Sequence, residues 1–174
     1  SGKVTLLYSF RAGSDGATPQ GRLVAVNGAL YGTTEFGGNS GNGTVFQITS
    51  AGRERVIYAF KGGGDGATPL LVGMVAINGT LYGTTSAGGD SKCTVENSVG
   101  CGTVFALSTS GRERILYRFK GKPDGASPSG SLTVVKGTMY GTTNFGGQGN
   151  NGTVYRITSS GAKRSIYAFK GYPD

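Results

Sequence analysis

The chain repeats itself, and a repeating chain has to build one structural unit several times over. Leu30-Tyr31-Gly32-Thr33-Thr34 returns as Leu81-Tyr82-Gly83-Thr84-Thr85 and as Met139-Tyr140-Gly141-Thr142-Thr143. Gly43-Thr44-Val45-Phe46 returns as Gly102-Thr103-Val104-Phe105 and as Gly152-Thr153-Val154-Tyr155. A Tyr-x-Phe block occurs four times, at Tyr8/Phe10, Tyr58/Phe60, Tyr117/Phe119 and Tyr167/Phe169, with its tyrosines 50, 59 and 50 residues apart. The longer middle unit carries its additional residues between Gly89 and Gly102, which marks that segment as an exposed loop. The chain reads as a single repeat domain over 1–174, with units at about 11–60, 61–119 and 120–169 and an extra N-terminal strand at 4–10.

Within each unit the apolar residues alternate with period two, as in Val56, Tyr58 and Phe60 or Thr44, Phe46 and Ile48. That is the signature of strands, and no segment shows helical periodicity. Asn27-Gly28, Asn78-Gly79 and Lys136-Gly137 stand between apolar runs, where a two-residue hairpin turn needs positive φ at both positions. The first unit therefore predicts strands at Leu23–Val26, Leu30–Thr34, Thr44–Thr49 and Val56–Phe60. Four strands followed by a long Asp-bearing return describe an all-β chain of β-propeller-like four-stranded blades, three units plus one extra strand. A β-trefoil is the alternative, because it also has three units of this size. The ragged ends weigh against it: three blades do not close a ring, so the N-terminal strand is expected to pair with another copy or with further repeats.

Composition narrows the chemistry. The 34 glycines would fit disorder, were it not for 36% hydrophobic residues with Tyr and Phe at fixed places. With no histidine, Ser-His-Asp and Cys-His catalysis and the commonest zinc ligand are all excluded. The net charge of +8 is concentrated at Arg53-Glu54-Arg55, Arg112-Glu113-Arg114 and Lys163-Arg164, which reads as a solvated edge and not as a nucleic-acid face. Cys93 and Cys101, the only two cysteines, share the middle insertion and are expected to pair as in an oxidising compartment. No apolar run is long enough for a membrane span.

The strings L-Y-G-T-T-x-x-G-G, G-T-V-F-x-I-T, x-x-Y-x-F and D-G-A-T-P, taken in order, resemble the GloVer tandem repeats over nearly the whole chain. The resemblance implies an extracellular or cell-surface bacterial protein with a propeller-like arrangement, and it carries over no activity of its own. The Cys-bearing insertion departs from that family's basic unit.

Few residues offer chemistry. Asp15, Asp65, Asp124 and Asp174 recur at the returns, each with a single carboxylate, which fits a turn-fixing cap better than a calcium loop. Glu35, Asp90 and Glu96 are isolated, so no carboxylate pair for glycoside hydrolysis is visible. The loop bearing Glu35, Phe36, Asn39 and Asn42, and its counterpart bearing Asn144, Phe145, Gln148 and Asn150, set an aromatic ring among carboxamides. That combination binds sugars by ring stacking and amide hydrogen bonds; alternatively the rings pack beneath their own loops. The middle unit has Ala87 there. Gly32, Gly83 and Gly141, inside strands, imply close backbone approach near a central axis. The sum is a non-catalytic extracellular binding or adhesion module, without cofactor or metal, for a polysaccharide or cell-envelope polymer. The alternative is a structural unit that assembles with further copies into a ring or fibre, and an enzyme is the least supported reading.

Overall fold

The computed structural model describes residues 2–69, 73–95 and 98–171; Glu96 and Asp174 lie outside them. The first unit forms β1 (Ala17–Val26), β2 (Ala29–Phe36), β3 (Thr44–Ile48) and β4 (Glu54–Ala59). The second forms β5 (Val75–Ile77), β6 (Thr80–Thr85), a short hairpin of β7 (Thr94–Val95) and β8 (Ser98–Val99), then β9 (Thr103–Ser108) and β10 (Glu113–Arg118). The third forms β11 (Ala126–Val135), β12 (Thr138–Phe145), β13 (Thr153–Ile157) and β14 (Lys163–Ala168). Each unit is one four-stranded antiparallel sheet in chain order, called sheets I, II and III, with β7-β8 as a separate two-stranded ladder. Among the described residues every ladder of these sheets stays within its unit, which removes the trefoil, whose barrel needs ladders between units.

The expected hairpins are present: Asn27, Asn78 and Lys136 have φ of 49°, 50° and 47°, each followed by a glycine at 76–77°. β1 and β11 run longer than the expected first strand because Ala17–Gln20 and Ala126–Ser129 also pair, across a register shift that follows Gln20 and Ser129. β4 begins two residues earlier than expected, at Glu54. The recurring glycines of the second strands are crowded by a ring and not by backbone at an axis. Gly32, Gly83 and Gly141 lie directly across from Phe46, Phe105 and Tyr155. A Cβ on Gly83 would sit 2.6 Å from the Phe105 ring, so the glycine is the slot in which the neighbouring strand's aromatic lies. The threonines of the same strings close the loop end of each sheet. Thr34–Thr44, Thr85–Thr103 and Thr143–Thr153 share hydroxyl hydrogen bonds of 2.8, 2.8 and 2.9 Å, all buried.

Each sheet packs on the next through one repeated seam. Tyr31, Val45 and Phe60 of the first unit meet Met74, Leu81, Phe105 and Leu107 of the second. Tyr82, Val104 and Phe119 then meet Leu132, Met139, Tyr155 and Ile157. The Phe that follows the fourth strand is the pin: Phe60 stands edge-on to Phe105 at 5.2 Å, and Phe119 to Tyr155 at 5.1 Å. Edge-to-face pairs of this kind add about 0.5–1.5 kcal/mol beyond area burial.

The extra strand expected over residues 4–10 does not form; among the described residues, 2–10 belong to no sheet. The alternation is present there, but no companion strands lie beside it. The segment folds back on its own chain, with Phe10 edge-on to Phe46 at 4.9 Å, while Val4 and Leu6 remain 94% and 78% exposed.

Cys93 and Cys101 are disulfide-bonded and buried, with Gly121 packed over the Cys93 sulfur. The closed loop is short, so its entropic contribution is about 2–3 kcal/mol. Reduction is expected to lower the melting midpoint and expose two thiols without abolishing the cooperative transition; thiol titration before and after reduction checks it. Gly83→Ala is expected to cost about 1–3 kcal/mol through overpacking against Phe105. The pair Gly83→Ala with Phe105→Leu should cost less than the two single changes summed, a coupling that urea titration measures.

Candidate functional site

The loops between second and third strands gather at the end of the molecule where the returns pass. Gly38 N–H donates to Gly13 O at 2.9 Å and Gly89 N–H to Gly63 O at 2.7 Å. In the third unit Gly146 packs on Gly125 so closely that a Cβ would lie 2.3 Å from its Cα. The first two loops also hold the following unit: Thr68 N–H donates to Asn42 O, and Ser127 N–H to Cys101 O, both at 2.9 Å.

The eight loop residues singled out by sequence fall into two groups, on sheets I and III, with sheet II between them. On sheet I, Glu35 accepts from Gln20 Nε2 at 2.7 Å, Phe36 is 48% exposed, Asn39 is exposed, and the Asn42 side chain lies against Gly62. On sheet III, Asn144 Oδ1 accepts from Ser129 Oγ at 2.6 Å and Asn150 Oδ1 from Gly146 N–H at 2.9 Å, while Gln148 is exposed. Phe145 is part-buried and packs against the second seam.

What gives the third loop a concave surface is its neighbour. The cystine-bearing insertion leans β7-β8 toward Phe145 and leaves a groove of about 310 Å³, lined by Ser86, Val95, Ser98, Ser127, Asn144 and Phe145 with Ala87 and Gly100. None of these side chains titrates. The serines were not legible in sequence, because the groove belongs to two units. Ala87, where the other units carry Phe, contributes to its lining in place of a second ring.

A second constellation repeats at the seams. The Asp of each return is a cap: Asp15, Asp65 and Asp124 accept from the N–H groups of Arg11, Lys61 and Lys120, at 2.7, 2.7 and 3.1 Å. Tyr8 and Tyr58 donate to Asp15 and Asp65 at 2.7 and 2.5 Å. Against these caps the following sheet places Glu54, Glu113 and, in the third unit, Lys163. Lys163 is an ion-pair partner, its Nζ 2.5 Å from Asp124 Oδ1. The glutamates instead bring a second carboxyl, and Oε1 of both Glu54 and Glu113 is buried without a hydrogen-bond partner. Burial and then the neighbouring Asp15 push Glu54 up. Burial and then the Asp65 charge push Glu113 up to about 7. The Tyr8 hydroxyl, donating to Asp15, is pushed up to about 12. Asp15 is held low by Tyr8 and the Arg11 N–H although burial opposes its charge. The sequence reading of Arg53-Glu54-Arg55 as a solvated edge holds for the arginines, which are exposed, but not for the glutamate. The signal was the alternation of Glu54 with Val56, which puts Glu54 on the face of Phe46 and Ile48; a register shift then turns Tyr58 to the opposite face.

The third unit thus meets its cap with the ammonium that the first two lack. A carboxyl whose folded pKa is raised binds its proton more tightly in the folded state. Its stabilisation is complete below its unfolded value of 4.5 and is lost as pH rises to about 7. The melting midpoint is expected to fall between those values, and Glu113→Gln to flatten that fall and to raise the midpoint at pH 8, as read by thermal melts across pH.

Among the described residues no group of three or more His, Cys, Asp or Glu could hold a metal ion, and no helix is long and apolar enough to cross a membrane. No curated protein sequence matches the chain. A sequence model of the Gloeobacter/Verrucomicrobia repeat does, over residues 1–174, and the chain belongs to that repeat family.

Proposed function

We propose that the chain is a non-catalytic extracellular binding module whose three sheets are consecutive blades of a propeller-like arc, and that it takes a neutral carbohydrate in the groove beside Phe145. The observation that carries this reading is the groove's composition among the described residues: one aromatic ring, the hydroxyls of Ser86, Ser98 and Ser127, and the Asn144 carboxamide, with no ionisable side chain. A ring offers a flat apolar surface to the C–H face of a sugar, and hydroxyls and amides match its hydroxyl groups as donors and acceptors. A volume of about 310 Å³ lies at the small end of ligand sites, which suits one or two sugar residues.

The blade reading rests on sheet order and contact. Each sheet is a four-stranded meander, and the first strands draw together, β11 against β5 and β6, and β1 against β5. Just before β5, Gly73 N–H donates to Ser131 Oγ of β11 at 2.9 Å. Blades wired in this way leave second-to-third loops and returns at one end, where the groove lies. The disulfide suits an oxidising, extracellular setting.

A glycan array followed by calorimetry tests the reading. Phe145→Ala should weaken binding of a neutral oligosaccharide by about tenfold or more, and Phe36→Ala, on the far loop, should leave it unchanged. An array without neutral binders, or equal affinity for Phe145→Ala, contradicts the proposal.

A further inference from the structure

The two outer faces of the stack are the two halves of a seam that the chain already makes twice. On the trailing side, sheet III repeats Tyr82, Val104 and Phe119 as Tyr140, Val154 and Phe169. Phe60 and Phe119 are 0% exposed in their seams, whereas Phe169 is 39% exposed, with Ile166 and Tyr167 beside it at 49% and 48%. On the leading side, sheet I repeats Met74 and Leu132 as Leu23. Met74 and Leu132 are 5% and 4% exposed, and Leu23 is 50%. A face that is buried at two positions in the chain and open at a third states what covers it, namely the other half of the same seam.

Part of the leading face has a placeholder. Phe10 stands on Phe46 as Phe60 stands on Phe105 and Phe119 on Tyr155. Tyr8 donates to Asp15 as Tyr58 does to Asp65. The Leu7 carbonyl lies over Gly52 as those of Ile57 and Leu116 lie over Gly111 and Gly161. Residues 2–10 are not in a sheet, so they cover only part of the face. A cavity of about 290 Å³ remains between Leu7, Phe10, Leu23, Gly32 and Phe46. At the inner seams the preceding sheet supplies the packing there.

We propose that a second copy of this chain docks head to tail, its trailing face on sheet I, with its Tyr167-x-Phe169 displacing the resident Tyr8-x-Phe10. The contact is heterologous, so two copies joined at both seams make a closed ring and a single seam makes an open pair. With three sheets in each chain, two copies supply six, within the roughly four to eight that radial blade assemblies use. Residues 2–10 then act as an intramolecular competitor that weakens association. This inference rests on seam geometry and is independent of the carbohydrate reading.

Sedimentation velocity on the full chain, with variants, tests it. The intact chain should approach twice 17.7 kDa as concentration rises. Leu23→Arg and Phe169→Arg, both at exposed positions, should each remain monomeric with near-unchanged melts. An equimolar mixture of the two should form a pair, because one seam is then built from unaltered halves. Removing residues 2–10 should tighten association by about tenfold or more. Monomers at every concentration with and without residues 2–10, a Leu23→Arg variant that still pairs, or a mixture that stays monomeric each overturns the proposal. If removal of residues 2–10 unfolds the chain, the mixture alone decides.

Discussion

An antiparallel sheet with one apolar face on each side is not stable by itself, and here sheets I and II each pack on the one after it. The dependence is carried by a few side chains: a Phe just beyond the fourth strand stands edge-on to an aromatic of the next sheet's third strand. That second aromatic lies in a slot made by the glycine opposite it, so the strings Tyr-x-Phe, Tyr-Gly-Thr-Thr and Gly-Thr-Val-Phe specify one joint between them. The Asp cap and its tyrosine fix where the return leaves that joint. In repeat architectures stability is close to a sum of unit and nearest-neighbour terms, and this seam is the neighbour term.

The strands, the hairpins and the disulfide were legible because each is written in local spacing. The N-terminal segment misled because its alternation is that of a fourth strand, yet a strand exists only with a partner, and among the described residues none pairs with 4–10. The glycines of the second strands were correctly read as crowded but assigned the wrong neighbour, since a cross-strand ring is set by register and not by nearness in sequence. The Phe145 groove was half visible: the aromatic and carboxamide were read, but Ser86 and Ser98 come from the preceding unit and its insertion, and Ser127 from the first strand of the third. Glu54 and Glu113 were hidden by their basic neighbours, though strand alternation already turned them inward.

The middle insertion is where the repeat departs from itself, and the functional proposal lies beside it for a physical reason. Identical loops on a repeated scaffold give convex, equivalent ends, whereas one longer, cystine-stiffened loop leans on its neighbour and creates a concavity. The second seam differs from the first, exchanging a proton-dependent carboxyl contact for the Lys163–Asp124 ion pair. The seams thus share one packing design and differ in electrostatics.

Native-state hydrogen exchange on Phe60→Ala measures whether the seam couples the sheets. Amides of β2 and β3 and amides of β6 and β9 are expected to lose protection together, while those of β12 and β13 change less. Loss confined to β4, with β6 and β9 as protected as in the unaltered chain, would contradict that coupling.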